Sequence, residues 1–267
     1  MEKTEREKKC RQVRRIILSI CAVIAAGLLF ICLKTATGKK RVERTIPADP
    51  AIIQEDSTDG AAYYANTLDA EKSPYFIHND YYNMKSKGTL HLIPHFRTYQ
   101  QTTEYTCGCA CALMVLDYFG IHEYNEPEIA EACGTDETKG TSPEGLSAFF
   151  RSIGFKVDDH MDTQPRFTEI EEAEQFFIES VDAGIPVMVD WVDWCGHWQV
   201  VIGIDTMGTD SPYDDVLILA DPYDITDHRQ DGYYIFPLGR FYDMWREGVC
   251  AQKDIPYEQV FVKAWKS

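Results

Sequence analysis

Basic residues are scarce over most of this chain. Of the 26 Lys and Arg and 43 Asp and Glu among its 267 residues, positions 1–44 hold twelve basic and four acidic ones, leaving 14 basic against 39 acidic in the rest. The net charge of −17 is thus a basic head on a strongly acidic body. Such a body repels nucleic acid and anionic lipid, and excludes both as ligands of that part. Long apolar runs are equally few, with a single one at 16–33. There is no internal repeat, which excludes repeat architectures, and no phosphate-binding loop, which excludes a fused ATPase. The nine cysteines never form the C-x-x-C pairs of a structural zinc site. A hydrophobic share of 45% with 12% aromatics excludes a disordered chain and is enough for a packed core.

The one apolar run is IILSICAVIAAGLLFICL, eighteen residues without a charge. At ~1.5 Å per residue it reaches ~27 Å, close to the hydrocarbon thickness of a bilayer. TATG at 35–38 is a poor cleavage site, and Ile20 and Ile31 occupy the small-residue position before Cys21 and Cys32, so neither a cleaved signal nor a lipoprotein box fits. An uncleaved anchor over 16–33 is expected. Seven basic residues precede it and five follow, which favours a cytoplasmic tail at 1–15 and an exported body, with the reverse orientation open. The localisation expected is the cell membrane, crossed once, with an extracytoplasmic domain. Of the body's cysteines (Cys107, Cys109, Cys111, Cys133, Cys195, Cys250), most are expected as free thiols.

Residues 34–88 show no sustained periodicity and read as a stalk and an approach to the fold. Leu90 to His95 alternate as a short edge strand. Cys107, Ala110, Cys111, Met114, Val115 and Tyr118 repeat at helical spacing, with Thr106 placed to cap the helix and Gly120 to stop it. Asn125-Glu-Pro-Glu128, Ser142-Pro143 and Thr168 with Glu171 open three further helices. The period then changes: 185–191, 197–205, 216–221 and 233–236 are β-branched or aromatic runs between Asp, Gly and Pro turns. Phe241 and Trp245 mark a last short helix. A helical half followed by an antiparallel sheet half is an α+β layout with one cleft.

Cys107 begins its helix, where unpaired N–H groups and the dipole favour a thiolate. A lone cysteine there would more simply be a small buried hydrophobe. Partners alter that balance. In DWCGHWQVVIGID the glycine before His197 leaves the imidazole accessible at a strand start, and Asp221, ahead of Pro222, ends the next strand beside a loop. Cys, His and Asp can meet there as nucleophile, base and orienter. Gln101, six residues before Cys107, either satisfies loop backbone or does chemistry, and Gln100 beside it leaves the assignment ambiguous by one position. His78, His91, His95, His122, His160 and His228 lack such a setting. Cys109 points away from Cys107 and Cys111 on a helix, so no metal is expected. Cys195 lies two residues before His197, where a reversible disulfide with a cleft cysteine can be envisaged.

Gln101, the Cys-Gly-x-Ala-Cys start, Tyr118-Phe-Gly120, GTSPEGL, GIPVMVDW, GHWQVVIGID and ADPYD followed by DGYYIFPLGRFYDMW together resemble a papain-like cysteine peptidase of the bacteriocin-leader (double-glycine) processing, C39-like type. The likeness covers about 90–267 and is nearest to stand-alone members. It implies a papain-like fold over 89–267, with Cys107 as nucleophile, His197 as base and acid, Asp221 as orienter, and Gln101 as an oxyanion donor beside the Cys107 N–H. It implies a peptide or protein substrate and no cofactor. Relatives often carry Asp before the nucleophile, where this chain has Thr106. Two other readings stay open: a catalytically silent papain-like module that binds peptide or cell wall, and a cysteine amidase or acyltransferase of the same fold.

Overall fold

The computed structural model describes residues 52–53, 60–63, 77, 79–225, 229–247 and 256–266. The chain divides into two compact units, Met1–Glu43 and Arg44–Ser267, and every described residue belongs to the second. The expected anchor at 16–33 and its basic tail at 1–15 lie outside the described residues, as do Cys250, His78 and His228. Among the described residues no helix is long and apolar enough to cross a membrane.

The scaffold is a seven-stranded sheet of β2 (Leu90–Leu92), β4 (Lys156–Asp162), β5 (Val187–Trp191), β6 (His197–Asp205), β7 (Val216–Ala220), β8 (Tyr233–Pro237) and β9 (Glu258–Trp265). Its order is β4-β9-β5-β6-β7-β8, with β2 on the far part of β6. All of these pairings are antiparallel. Outside it, β1 (Ile52–Ile53) pairs in parallel with β3 (Thr98–Tyr99), and α1 (Gly60–Tyr63) follows β1. The four strands read from the sequence are present. β4 and β9 escaped that reading, although β9 sits between β4 and β5. In β4, KVDDHMD is mostly half-buried, so it carries no strong apolar alternation.

Five helices cover the sheet: α2 (Cys107–Tyr118), α3 (Glu126–Cys133), α4 (Pro143–Ser152), α5 (Ile170–Asp182) and α6 (Leu238–Met244). The strand period of two sorts their contacts. Met188, Trp198, Val200, Ile202, Val260 and Val262 face α2, α3 and α4. Val187, Val189, Val201, Leu217, Leu219 and Phe261 face α5 and α6. The expected helical half beside a sheet half is thus corrected to helices on both faces. The reason is that β5, β6 and β9 are apolar at successive positions, and each face must be covered.

Local signals act as their chemistry dictates. Asn125 accepts from Glu128 N at 2.9 Å while Glu128 Oε2 accepts from Asn125 N at 3.0 Å, a reciprocal cap for α3. Ser142 accepts from Gly145 N at 3.1 Å ahead of Pro143. For α5 the cap lies one residue later than expected, at Glu169, because Glu172 Oε2 takes the N–H groups of both Thr168 and Glu169. Gly120 ends α2 at φ 72°, with its N–H on Asp117 O and that of Ile121 on Leu116 O, the paired bonds of a left-handed helix stop. α2 itself is buried on nearly every side, Cys109 included at 0% exposure, where one buried face was expected. Gly108 makes this possible, since a Cβ there would stand 2.7 Å from Thr141 Cβ.

Candidate active site

Three elements bring their ends together. Cys107 opens α2, His197 opens β6, and Asp221 directly follows β7, its N–H donating to Gly232 O at 2.8 Å. His197 Nε2 lies 2.7 Å from Asp221 Oδ1, and that same oxygen accepts from Tyr223 N at 2.8 Å. Cys107 is near enough to the His197 ring to act on its pKa as a hydrogen-bonding and charged neighbour. With Nε2 taken by Asp221, the nitrogen left for the thiol is Nδ1.

The imidazole is 4% exposed, which corrects the expectation of an accessible ring. The glycine before it serves a different purpose. Trp194, Cys195 and Gly196 all have positive φ (50°, 79° and 126°), a tight reversal that carries the chain from β5 into β6. Tyr223 stands edge-on to the ring at 6.5 Å between centroids and packs on Trp194 at 5.8 Å. Burial pushes the His197 imidazolium down. The charge and hydrogen bond of Asp221, joined by Cys107, outweigh that and hold the ring well above the usual histidine pKa. The raised pKa favours the cationic ring, and Nδ1 is the nitrogen not bonded to Asp221.

Gln100 and Gln101 are both buried, and the structure separates their roles. Gln100 Nε2 donates to Asp221 O at 2.7 Å and its Oε1 accepts from Asp224 N at 3.2 Å. It stitches the loop before α2 to the Asp221 turn, and both ends of its amide are occupied. Gln101 Nε2 donates to Thr103 O at 2.8 Å, while its Oε1 is buried without a partner. The Gln101 amide nitrogen keeps a second hydrogen. Gly60 presses on this loop from outside: its N–H donates to Glu104 Oε1 at 3.2 Å, and a Cβ there would stand 2.7 Å from Gln101 O.

Thr106 makes no side-chain cap, contrary to expectation, because its hydroxyl donates to the buried Glu126 carboxylate. Glu126 was legible only as part of a helix start, where such a residue ordinarily faces water, and Gln100 only as a rival to Gln101.

The remaining cysteines have structural surroundings. Cys111 donates to Trp198 O at 3.3 Å, and burial holds its thiol well above the ordinary value. Cys109 Sγ sits 3.4 Å from the hydroxyls of Thr135 and Thr141. Cys107, Cys109, Cys111 and Cys133 are free. Cys195 is in a disulfide, with none of those four as partner. Among the described residues no three His, Cys, Asp or Glu are grouped to hold a metal. His91 pairs with Asp182, His122 with Asp117, and His160 with Gln164 O.

The model of the family described as Peptidase_C39 like matches residues 93–252, more than half of the chain. The chain belongs to the Peptidase_C39 like family. Membership of this family of C39-like peptidases supports a cysteine peptidase. Among solved structures the chain resembles the peptidase domain of Streptococcus ComA, a bi-functional ABC transporter involved in a quorum-sensing pathway. Identity is 16% and the TM-score 0.43, over 65% of this chain and 100% of that one. A double glycine motif protease from an AMS/PCAT transporter, in complex with the leader peptide, shows 16% identity and 0.41 over 64% and 91%. The peptidase domain of Streptococcus mutans ComA shows 14% and 0.33 over 66% and 99%. No curated protein matches the chain.

Proposed function

We propose that this family member is a cysteine peptidase that cleaves peptide bonds of a peptide or protein through an acyl-enzyme on Cys107. The apolar run at 16–33 holds it at the membrane, and the domain at 89–267 works outside the cytoplasm. The observation that carries the chemistry is the water-excluded His197–Asp221 pair, with Cys107 at the start of a helix acting on the same ring.

In this reading the reacting form is a Cys107 thiolate beside a His197 imidazolium. The sulfur attacks the scissile carbonyl carbon, a C–S bond forms, and the carbonyl π pair moves onto oxygen. The Cys107 N–H and Gln101 Nε2 donate to that oxyanion. Collapse breaks the C–N bond as the imidazolium hands its Nδ1 proton to the leaving amine. Water then gives a proton to the neutral ring and attacks the thioester, the C–S bond breaks, and the thiolate and imidazolium are restored. Asp221 holds the ring in orientation and balances its charge.

Covalent labelling by a thiol-directed peptide probe tests the assignment. Cys107→Ala is expected to abolish it, and labelling that persists through another cysteine refutes it.

A further inference from the structure

Glu126 is the first residue of α3 yet is fully buried, at 0% exposure. It is turned beneath the loop from Gln101 to Thr106. Both carboxylate oxygens accept from Thr102 N, at 3.1 and 3.2 Å, and Oε1 also takes the Thr106 hydroxyl. An ionised carboxylate can only accept, so the Thr106 proton is committed to it. The Thr106 oxygen then receives the hydroxyl of Thr103, 2.8 Å away. The Thr103 carbonyl in turn receives one hydrogen of Gln101 Nε2 at 2.8 Å, which sets the direction of the other. The chain of bonds thus runs one way, from the Gln101 amide back to Glu126.

We infer that Glu126 is a positioning residue for acyl transfer: through Thr102, Thr106 and Thr103 it fixes the loop that aims Gln101 at the developing oxyanion. This rests on the peptidase reading above. It also explains a costly placement. Burial raises the Glu126 carboxyl, and the bonds from Thr106 and Thr102 only partly offset that, so the ion sits where it weakens folding. A side chain kept for stability alone would be better neutral.

The test compares two reactions of Cys107 in the full chain. Alkylation by iodoacetamide displaces iodide at a saturated carbon and builds no oxyanion. Acylation by p-nitrophenyl acetate passes through one and releases p-nitrophenolate. Glu126→Gln keeps the volume but offers one acceptor oxygen instead of two. It is expected to slow acylation at least about tenfold, a fraction of the loss seen when an oxyanion donor is deleted. Alkylation is expected to stay within about twofold and the melting temperature to hold or rise. Thr106→Val cuts the same chain of bonds with the carboxylate intact, and it decides by the same ratio should Glu126→Gln not fold. Equal slowing of both reactions, or unchanged acylation, overturns the inference. Failure of the peptidase reading has a separate signature, a wild-type Cys107 that reacts with either reagent no faster than a free thiol, and it removes the inference as well.

Discussion

Replacing Asp221 by Asn tests the electrostatics of the site most directly. The two side chains are almost water-free, at 4% and 5% exposure, with 2.7 Å between Nε2 and Oδ1. Charge centres about 4 Å apart at an effective dielectric of about 20 attract by about 4 kcal/mol. That attraction opposes the burial that pushes the His197 imidazolium down, and it wins. Asn keeps the shape and removes the charge, so burial is then opposed only by Cys107 and Asp193. The ring pKa therefore falls from its wild-type value. Sign follows from linkage: a ring whose folded pKa is raised stabilises the wild type fully below its unfolded pKa. That contribution is lost as pH rises through the folded value. In the variant this stabilising term shrinks as the folded pKa falls. NMR titration of the His197 ring reads the change, and peptide hydrolysis should fall by about 10²–10⁴, the range for loss of a positioned acid–base. A ring pKa that does not fall in Asp221→Asn, or hydrolysis within tenfold of wild type, refutes the reasoning.

Two further substitutions probe the scaffold. Gly108→Ala puts a Cβ 2.7 Å from Thr141 Cβ. Overpacking of about 1–3 kcal/mol should exceed the gain of about 1 kcal/mol from helix propensity. Urea unfolding should show a net loss, and a stabilised variant would contradict the packing described. Asp215 is 1% exposed, its Oδ2 has no hydrogen-bond partner, and its carboxyl is pushed up to about 7, first by burial and then by Glu174, Asp214 and Asp205. The folded state holds that proton after the unfolded chain has lost it, so wild-type stability falls as pH climbs from roughly 4 to 7. Asp215→Asn should therefore melt higher than wild type at pH 8, with the advantage shrinking toward pH 4. A pH-independent difference would count against this.

Much of the helical part was legible because its signals are local. Asn125, Ser142 and Pro143 act within one turn of chain, and Gly120 supplies a conformation that other residues adopt at a cost. The four strands of the second half were legible from β-branched runs and turn residues. β9 was not, since an apolar run is recognised as a central strand only through its neighbours, here β4 and β5. The two-faced cover of the sheet was missed for a related reason: which helix packs on which face is a long-range choice that no local period encodes.

At the site, the residue types and their order along the chain came from sequence alone: a cysteine at a helix start, a histidine at one strand start, an aspartate at the next strand end. Tertiary structure decided what surrounds them. It buried His197 beneath Tyr223, committed Gln100 to Asp221 and Asp224, turned Thr106 from a cap into a donor, and drew Glu126 out of water. A hydrogen bond or a charge pair depends on distances of a few ångströms, and those are set between segments 20 to 124 residues apart.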